Sequence, residues 1–83
     1  MVESIRVVVL KDGDLFYAQC LEIDIAAQGS TEAEALTRLR SVFEAEKREA
    51  AESGRSLTDI GKAPEAFHAI FRADAVSRTS LAA

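Results

Sequence analysis

The sequence predicts an α+β fold: an antiparallel β-meander of three strands, one long helix packed on one face of the sheet, and then a fourth strand (β-β-β-α-β). Before residue 30, short apolar segments rich in β-branched residues are bounded by turn residues, which is typical of strands, and between residues 32 and 53 apolar residues recur at helical spacing. The chain has 83 residues, of which 48% are hydrophobic and 29% charged, as expected for one globular domain.

The first three strands are expected to form the meander. Residues 4–10 (SIRVVVL) are rich in β-branched residues and end at KDGD, in which Asp-Gly favours a tight hairpin turn. Residues 15–21 (LFYAQCL) supply the returning strand. Residues 25–28 form a shorter third strand, which Gly29 ends.

The long helix is predicted from about residue 32 to 53. Thr31 is the expected N-cap, Glu34 completes a Thr-x-x-Glu capping box, and Gly54 is the expected C′ residue. Its apolar stripe comprises Leu36, Leu39, Phe43 and Ala50, flanked by Ala35 and Val42. At 1.5 Å per residue the helix is about 33 Å long, whereas a six-residue strand covers about 20 Å. The helix should therefore overhang the sheet, and its polar last turns are either solvated or covered by a partner.

Residues 65–72 (EAFHAIFR) are predicted to form the fourth strand. Phe67, Ala69 and Phe71 alternate with His68, Ile70 and Arg72, and Pro64 stands at the strand entry, where a missing N–H does least harm. Residues 55–63 are expected to be a linker. Residues 73–83 have no clear period and are expected to be a C-terminal tail, so the domain would extend over residues 1–72.

The two faces of this sheet are expected to differ, because one helix covers only one of them. The first face, under the helix, is predicted to comprise Ile5, Val7, Val9, Phe16, Ala18, Cys20, Phe67, Ala69 and Phe71. The second face is predicted to comprise Arg6, Val8, Leu10, Leu15, Tyr17, Gln19, Leu21, His68, Ile70 and Arg72. The second face is either simply solvated or used for self-association or partner binding.

Charge and cysteine content restrict the classes of function. The net charge is −4, from 14 acidic and 10 basic residues, which disfavours strong phosphate-backbone binding and favours a basic or neutral partner. Cys20 is the only cysteine, and the N-terminal apolar run is too short for a signal peptide or a membrane span. A cytoplasmic location is therefore expected. Because a chain this short buries a modest core, association with a second copy is also expected.

No residue pattern predicts catalysis, a metal site or a cofactor. The acidic residues in or beside neighbouring turns are Asp12, Asp14, Glu22 and Asp24. They could bind Mg²⁺ only if they converged, and Asp-Gly-Asp is also what a hairpin turn prefers. His68, the sole histidine, has no matched nucleophile beside it. Cys20 alternates onto the core face and is expected to be buried. The chain is therefore expected not to be an enzyme.

Residues 17–36 (YAQCLEIDIAAQGSTEAEAL) resemble the HicB-like antitoxin family. The matching features are Tyr17 followed by Cys20-Leu-Glu22, then Asp24-Ile-Ala-Ala-Gln-Gly29, then Thr31-x-x-Glu34-Ala-Leu36. The resemblance extends from about residue 4 to 46, and more weakly through the fourth strand. It implies the partial ribonuclease-H-like domain of that family.

The resemblance also implies a function. HicB-like antitoxins bind HicA, a small toxin with a double-stranded-RNA-binding fold that cleaves messenger RNA, and they cover its catalytic histidine without performing catalysis. Many also carry a C-terminal DNA-binding domain. Too few residues follow the predicted fourth strand for such a domain, so DNA binding is not expected. The chain resembles the short, stand-alone form, some members of which have no adjacent toxin.

Two functions therefore stay open. The first is a HicB-like antitoxin, or a solitary relative, that binds a HicA-like toxin as a homodimer or higher oligomer. The alternative is a non-catalytic binding domain for a small molecule or RNA, with no toxin partner. The candidate partner-binding or self-binding residues are Tyr17, Gln19, Glu22, Asp24, His68, Ile70 and Arg72.

Overall fold

A computed structural model describes residues 4–73, 75 and 77–82. Its elements are β1 (Ser4–Asp12), β2 (Leu15–Cys20), β3 (Ala26–Gly29), α1 (Glu32–Ser53), a one-turn 3₁₀ helix (Leu57–Ile60), α2 (Glu65–Ala73) and β4 (Ser77–Ala82). The four strands form one antiparallel sheet in the order β3-β2-β1-β4. The predicted α+β class is confirmed, with three strands, a long helix and a later fourth strand. A second helix, α2, was not predicted.

The hairpin between β1 and β2 follows from its turn sequence. Asp12 lies opposite Leu15 in the register, and Gly13 between them has φ 61°, a left-handed conformation that glycine adopts without a steric penalty. The longer connection from β2 to β3, residues 21–25, is closed by the Cys20 N–H, which donates to the Ile25 carbonyl at 3.0 Å. The predicted three-stranded meander is therefore present.

Helix α1 begins and ends where its caps predict. The Thr31 hydroxyl accepts from the Glu34 N–H at 3.0 Å, and Gly54 ends the helix with φ 68°. The Glu34 carboxylate departs from the predicted capping box, since it accepts from the Ser30 N–H at 3.0 Å, one residue before the N-cap. These two hydrogen bonds, to the Thr31 hydroxyl and to the Glu34 carboxylate, fix the start of α1 next to the end of β3.

Helix α1 packs on β2 and β3 and encloses the main core on the first face. The buried members of this core are Ile5, Val7, Val9, Ala18, Cys20, Ile23, Ala35, Leu39, Phe43 and Leu81. Gly29 lets the helix approach β3 closely, because a Cβ at that position would lie 2.7 Å from the Ala35 nitrogen and 2.9 Å from the Glu34 Cβ. The molecule extends 39 Å along its longest axis.

The prediction of a strand at residues 65–72 is wrong, because this segment lies in α2. Phe67 and Phe71 fit a helical repeat of i, i+4 as well as they fit an alternating one, so the period of so short a segment does not decide. Other signals favour a helix. Pro64 precedes the first turn, Glu65 stands at its N-terminal end and Arg72 at its C-terminal end, as the helix dipole prefers.

The expectation of a C-terminal tail over residues 73–83 is also corrected. Residues 77–82 form β4, which pairs antiparallel with β1 so that Ile5 lies opposite Leu81. Leu81 is buried in the first-face core, and the Ser77 hydroxyl donates to the Glu32 carboxylate at 2.9 Å. The fourth strand therefore lies one element later in the chain than predicted, and the domain extends beyond residue 72.

Candidate interaction surface

The second face of the sheet is partly covered, because α2 packs over β1 on the side opposite α1. Val8 and Leu21 alternate onto this face and are fully buried. The chain entering α2 is fixed to the same side by the Ala63 N–H, which donates to the Leu21 carbonyl at 3.0 Å. The expectation that one helix leaves this face open is therefore corrected.

The helical conformation of α2 changes which of its residues face the sheet. Phe67, His68, Ile70 and Phe71 are half-buried, whereas Ala69 and Arg72 are exposed. Phe67 and Phe71, expected on the first face, pack instead against the second. Ala69, also expected on the first face, is exposed to solvent.

An aromatic ring between two guanidinium groups joins α2 to the sheet. The Cζ atoms of Arg6 on β1 and Arg78 on β4 lie 5.4 and 5.7 Å from the centroid of the Phe71 ring, within cation–π range. The Arg78 guanidinium also donates to the Phe71 carbonyl. The Glu22 carboxylate accepts from the Arg6 backbone N–H at 2.6 Å and from its Nε at 2.7 Å. Candidate residue Glu22 thus belongs to an ion pair that joins β1 to the segment following β2.

Gln19 lies on the second face as predicted, but only 4% of its surface is exposed. Its amide donates at 3.0 Å to the Asp24 carboxylate and to the Cys20 carbonyl, and at 3.3 Å to the Ile25 carbonyl. These bonds satisfy a buried amide and fix the β2–β3 connection. Asp24 is exposed, and its backbone N–H donates to the Gly61 carbonyl at 2.8 Å.

A mainly apolar groove of about 240 Å³ lies beside α2 on the second face. It is lined by Leu10, Asp12, Tyr17, Gln19, Ala26 and Phe67. Tyr17 is half-buried in its wall, and Leu15, on the adjoining part of β2, is 37% exposed. Of the seven candidate residues, Tyr17 and Gln19 reach this groove, and Tyr17 is the one whose side chain can meet a ligand there.

The three candidates on α2 have separate environments. The His68 ring has Nε2 3.2 Å from the Ala63 carbonyl, so this contact belongs to the start of the helix. Arg72 is exposed and donates from Nη2 to the Glu65 carboxylate at 2.9 Å. That bond, more than any other influence, lowers the pKa of Glu65 below its usual value. Ile70 is half-buried beside them.

The four turn acids do not converge. Asp12 and Asp14 flank the hairpin at the start of β2, whereas Glu22 and Asp24 follow its end, so a six-residue strand of about 20 Å separates the pairs. Over residues 4–73, 75 and 77–82, no three histidine, cysteine or acidic side chains lie close enough to hold a metal ion.

Cys20 is fully buried, as its alternation predicted. Burial, followed by the nearby charge of Glu22, raises the pKa of its thiol to about 12. The thiol is therefore protonated at neutral pH and is a poor nucleophile.

Sequence reasoning placed Arg6 on the second face but missed its contact with Phe71, and it missed the contribution of Phe67, Phe71 and Arg78 to that face. The two phenylalanines could have been found from their i, i+4 spacing directly after Pro64. The arginines give no local signal, because β4 brings Arg78 next to Phe71 only through its pairing with β1.

Comparison with models of known protein families, with curated proteins and with solved structures found no match to this chain. The resemblance to HicB-like antitoxins rests on residues 17–36 and on the order of the elements. Within the described part of the chain, no helix is long and apolar enough to cross a membrane.

Proposed function

We propose that this chain is a non-catalytic protein-binding module of the HicB-like kind, an antitoxin or a solitary relative. It binds a HicA-like messenger-RNA-cleaving toxin in the cytoplasm and neutralises it by direct contact. The main support is that residues 17–36, which carry the resemblance, form one continuous unit of β2, β3 and the capped start of α1. The order of three strands, the long helix and a later fourth strand agrees with the resemblance, which does not imply the intervening helix α2.

The chemistry of the candidate side chains supports a non-catalytic role. The Cys20 thiol is buried with its pKa raised to about 12. The His68 ring lies in contact with a backbone carbonyl, and Glu22 is paired with Arg6. Each of these potentially reactive groups contributes instead to the stability of the fold.

The groove beside α2 is the surface best suited to the partner. Leu10, Tyr17 and Phe67 supply apolar area, and Asp12 at its rim supplies negative charge. The whole chain carries a net charge of −4, which suits a basic RNA-cleaving protein and mainly raises the rate of association. A partner side chain with an apolar stem and a cationic end, such as arginine or lysine, matches this groove.

The groove also supports the second candidate function, a small-molecule binding domain without a toxin partner. Its volume of about 240 Å³ lies just below the range of about 300–1,000 Å³ that is usual for ligand sites. It would therefore hold a fragment-sized apolar group.

The test is a binding and inhibition assay with a HicA-like toxin. Under the proposal, light scattering detects a stoichiometric complex and the toxin's RNA cleavage stops. Tyr17→Ser should weaken binding at least tenfold, whereas Thr37→Ser, an exposed position on α1, should leave it unchanged. Circular dichroism verifies that both variants are folded.

Absence of a complex with the HicA-like toxin, together with undiminished RNA cleavage, would overturn the antitoxin function. Stabilisation of the chain against heat by an apolar fragment, lost in Tyr17→Ser, would then favour the small-molecule alternative.

A further inference from the structure

The two edges of the sheet are protected differently. Edge strand β3 has four residues, and the Arg38 guanidinium of α1 reaches over it to donate to the Gln28 carbonyl at 3.0 Å. The pairing of β2 with β3 directs that carbonyl outward, because the neighbouring Ala27 and Gly29 face β2. The β3 edge is thus short and partly blocked by a charged side chain, as is common in natural sheets.

Edge strand β4 has six residues, and the direction of its backbone groups follows from the register. The Leu21 N–H donates to the Arg6 carbonyl, so Arg6 directs its backbone groups toward β2. In an antiparallel sheet this direction alternates along the strand, so Ile5 and Val7 direct theirs toward Leu81 and Thr79. The backbone groups of Arg78, Ser80 and Ala82 therefore point away from β1, to the free edge.

Over residues 77–82, the β4 edge has few of the devices that usually protect a sheet edge. Its sequence, SRTSLA, contains neither proline nor lysine. Its one charged side chain, Arg78, is held against Phe71 on α2. Among the described residues, no strand pairs with the outer side of β4. An unprotected row of N–H and C=O groups is a template for another strand.

We propose that β4 pairs antiparallel with β4 of a second copy of this chain, across a two-fold axis, to give one continuous sheet. Two identical strands related by a two-fold axis are self-complementary when antiparallel. Charge excludes the register that places Arg78 opposite the copy's own Arg78. An axis through Thr79 instead places Arg78 opposite Ser80, so that their outward groups can bond.

This interface goes beyond toxin binding and does not depend on it. The groove is lined from β1, β2, β3 and α2, whereas the proposed interface uses only the outer edge of β4. Both surfaces can therefore be occupied at the same time. The test below uses the chain alone, so its failure would leave the proposed function open, and failure of toxin binding would leave the dimer intact.

The first experiment measures solution mass by light scattering at about 100 µM, a concentration at which a specific micromolar dimer is populated. Ser80→Pro removes the outward N–H and no bond to β1, so it should raise the dimer dissociation constant at least tenfold while the circular dichroism spectrum stays native. Ser80→Ala keeps that N–H and should dimerise like the wild type. A monomeric wild type, or a folded Ser80→Pro variant that still dimerises, would overturn the proposal.

A cross-link covers the case in which Ser80→Pro fails to fold. The two Thr79 residues would form a non-hydrogen-bonded pair with Cα atoms about 4.5 Å apart, within the range that a disulfide spans. Thr79→Cys should therefore give a disulfide-linked dimer on mild oxidation, since native Cys20 is buried and unreactive. Thr37→Cys on α1 should stay monomeric. Failure of Thr79→Cys to cross-link any better than Thr37→Cys would refute the β4 interface.

Discussion

The two faces of the sheet are covered by helices of different kinds. On the first face, α1 is long, capped at both ends, and buries Ala35, Leu39 and Phe43 in one apolar core. On the second face, α2 has nine residues and none that is fully buried. It is held by two half-buried phenylalanines, by cation–π contacts with Arg6 and Arg78, and by the Arg78 bond to its last turn.

The two faces therefore differ in what they provide: the first contains the main core, and the second has a groove that is open to solvent. On the first face, apolar side chains of α1 and of the sheet pack together into one core. The second face is covered over β1 but keeps a groove beside Tyr17. We infer that α1 contributes more to the free energy of unfolding than α2 does, whereas α2 forms part of the groove wall.

The largest expected effect is on the first face. Phe43→Ala removes a ring that is 1% exposed and should lower the free energy of unfolding by about 3–5 kcal/mol, from lost burial and the cavity left behind. Urea denaturation measures the loss. Val42→Ala, the neighbouring position that is 37% exposed, is the control and should change stability by less than about 1 kcal/mol. Equal losses would contradict the assignment of the core.

The next effect tests the close approach of α1 to β3. Gly29→Ala introduces a Cβ 2.7 Å from the Ala35 nitrogen, so the helix must shift, at a cost of about 1–3 kcal/mol. Thermal unfolding followed by circular dichroism measures it. Gln28→Ala, exposed one residue earlier, should be near neutral. An unaltered melting temperature in Gly29→Ala would mean that α1 does not need to pack so closely against β3 at Gly29.

On the second face the expected effect is smaller. Phe71→Leu keeps an apolar side chain but removes the ring between Arg6 and Arg78, and two cation–π contacts at partly exposed sites are together worth about 1–2 kcal/mol. Urea denaturation again gives the value. A loss as large as that of Phe43→Ala would show that the second face holds the domain as strongly as the first, and the comparison would fail.

The smallest effect concerns acid sensitivity at the two helix starts. The Ser30 N–H, and then Arg38, lower the pKa of Glu34; the bond with Arg72 lowers the pKa of Glu65. A lowered folded-state pKa gives stability that is present above the ordinary glutamate value of about 4.3 and is lost as pH falls through the folded value. Glu34→Gln and Glu65→Gln should each flatten the acid limb of a stability–pH curve.

That curve is measured by urea denaturation between pH 3 and pH 6. Glu52→Gln, exposed near the far end of α1, controls for the loss of one negative charge. If the acid limbs of Glu34→Gln and Glu65→Gln both matched that of the wild type, neither carboxylate hydrogen bond would contribute to stability.

Local signals made the first face predictable. Asp-Gly at the hairpin, Thr31 and Gly54 each determine a backbone conformation through their own chemistry, so the meander and the bounds of α1 follow from the sequence. Alternation also assigned Tyr17 and Gln19 to the second face correctly.

The helical conformation of α2, the position of β4 and the burial of Gln19 depend on tertiary contacts, which local sequence patterns do not predict. In α2, alternation and helical spacing fit the same two phenylalanines, and packing against β1 decides between them. In β4, over residues 77–82, only Leu81 is buried, because an edge strand exposes much of its surface. The burial of Gln19 could not be predicted either, since its acceptors come from the turn at residues 24 and 25.

The uneven anchoring of α1 has a consequence for its motion. Acidic residues in the first turn, Glu32 and Glu34, complement the helix dipole, whereas the last turn has no basic residue to do so. No α1 residue after Phe43 is fully buried. Backbone amides beyond Phe43 should therefore exchange with deuterium faster than those before it, and proteases should cut there first. We expect the far half of α1 to unravel and re-form while the sheet beneath its near half stays intact.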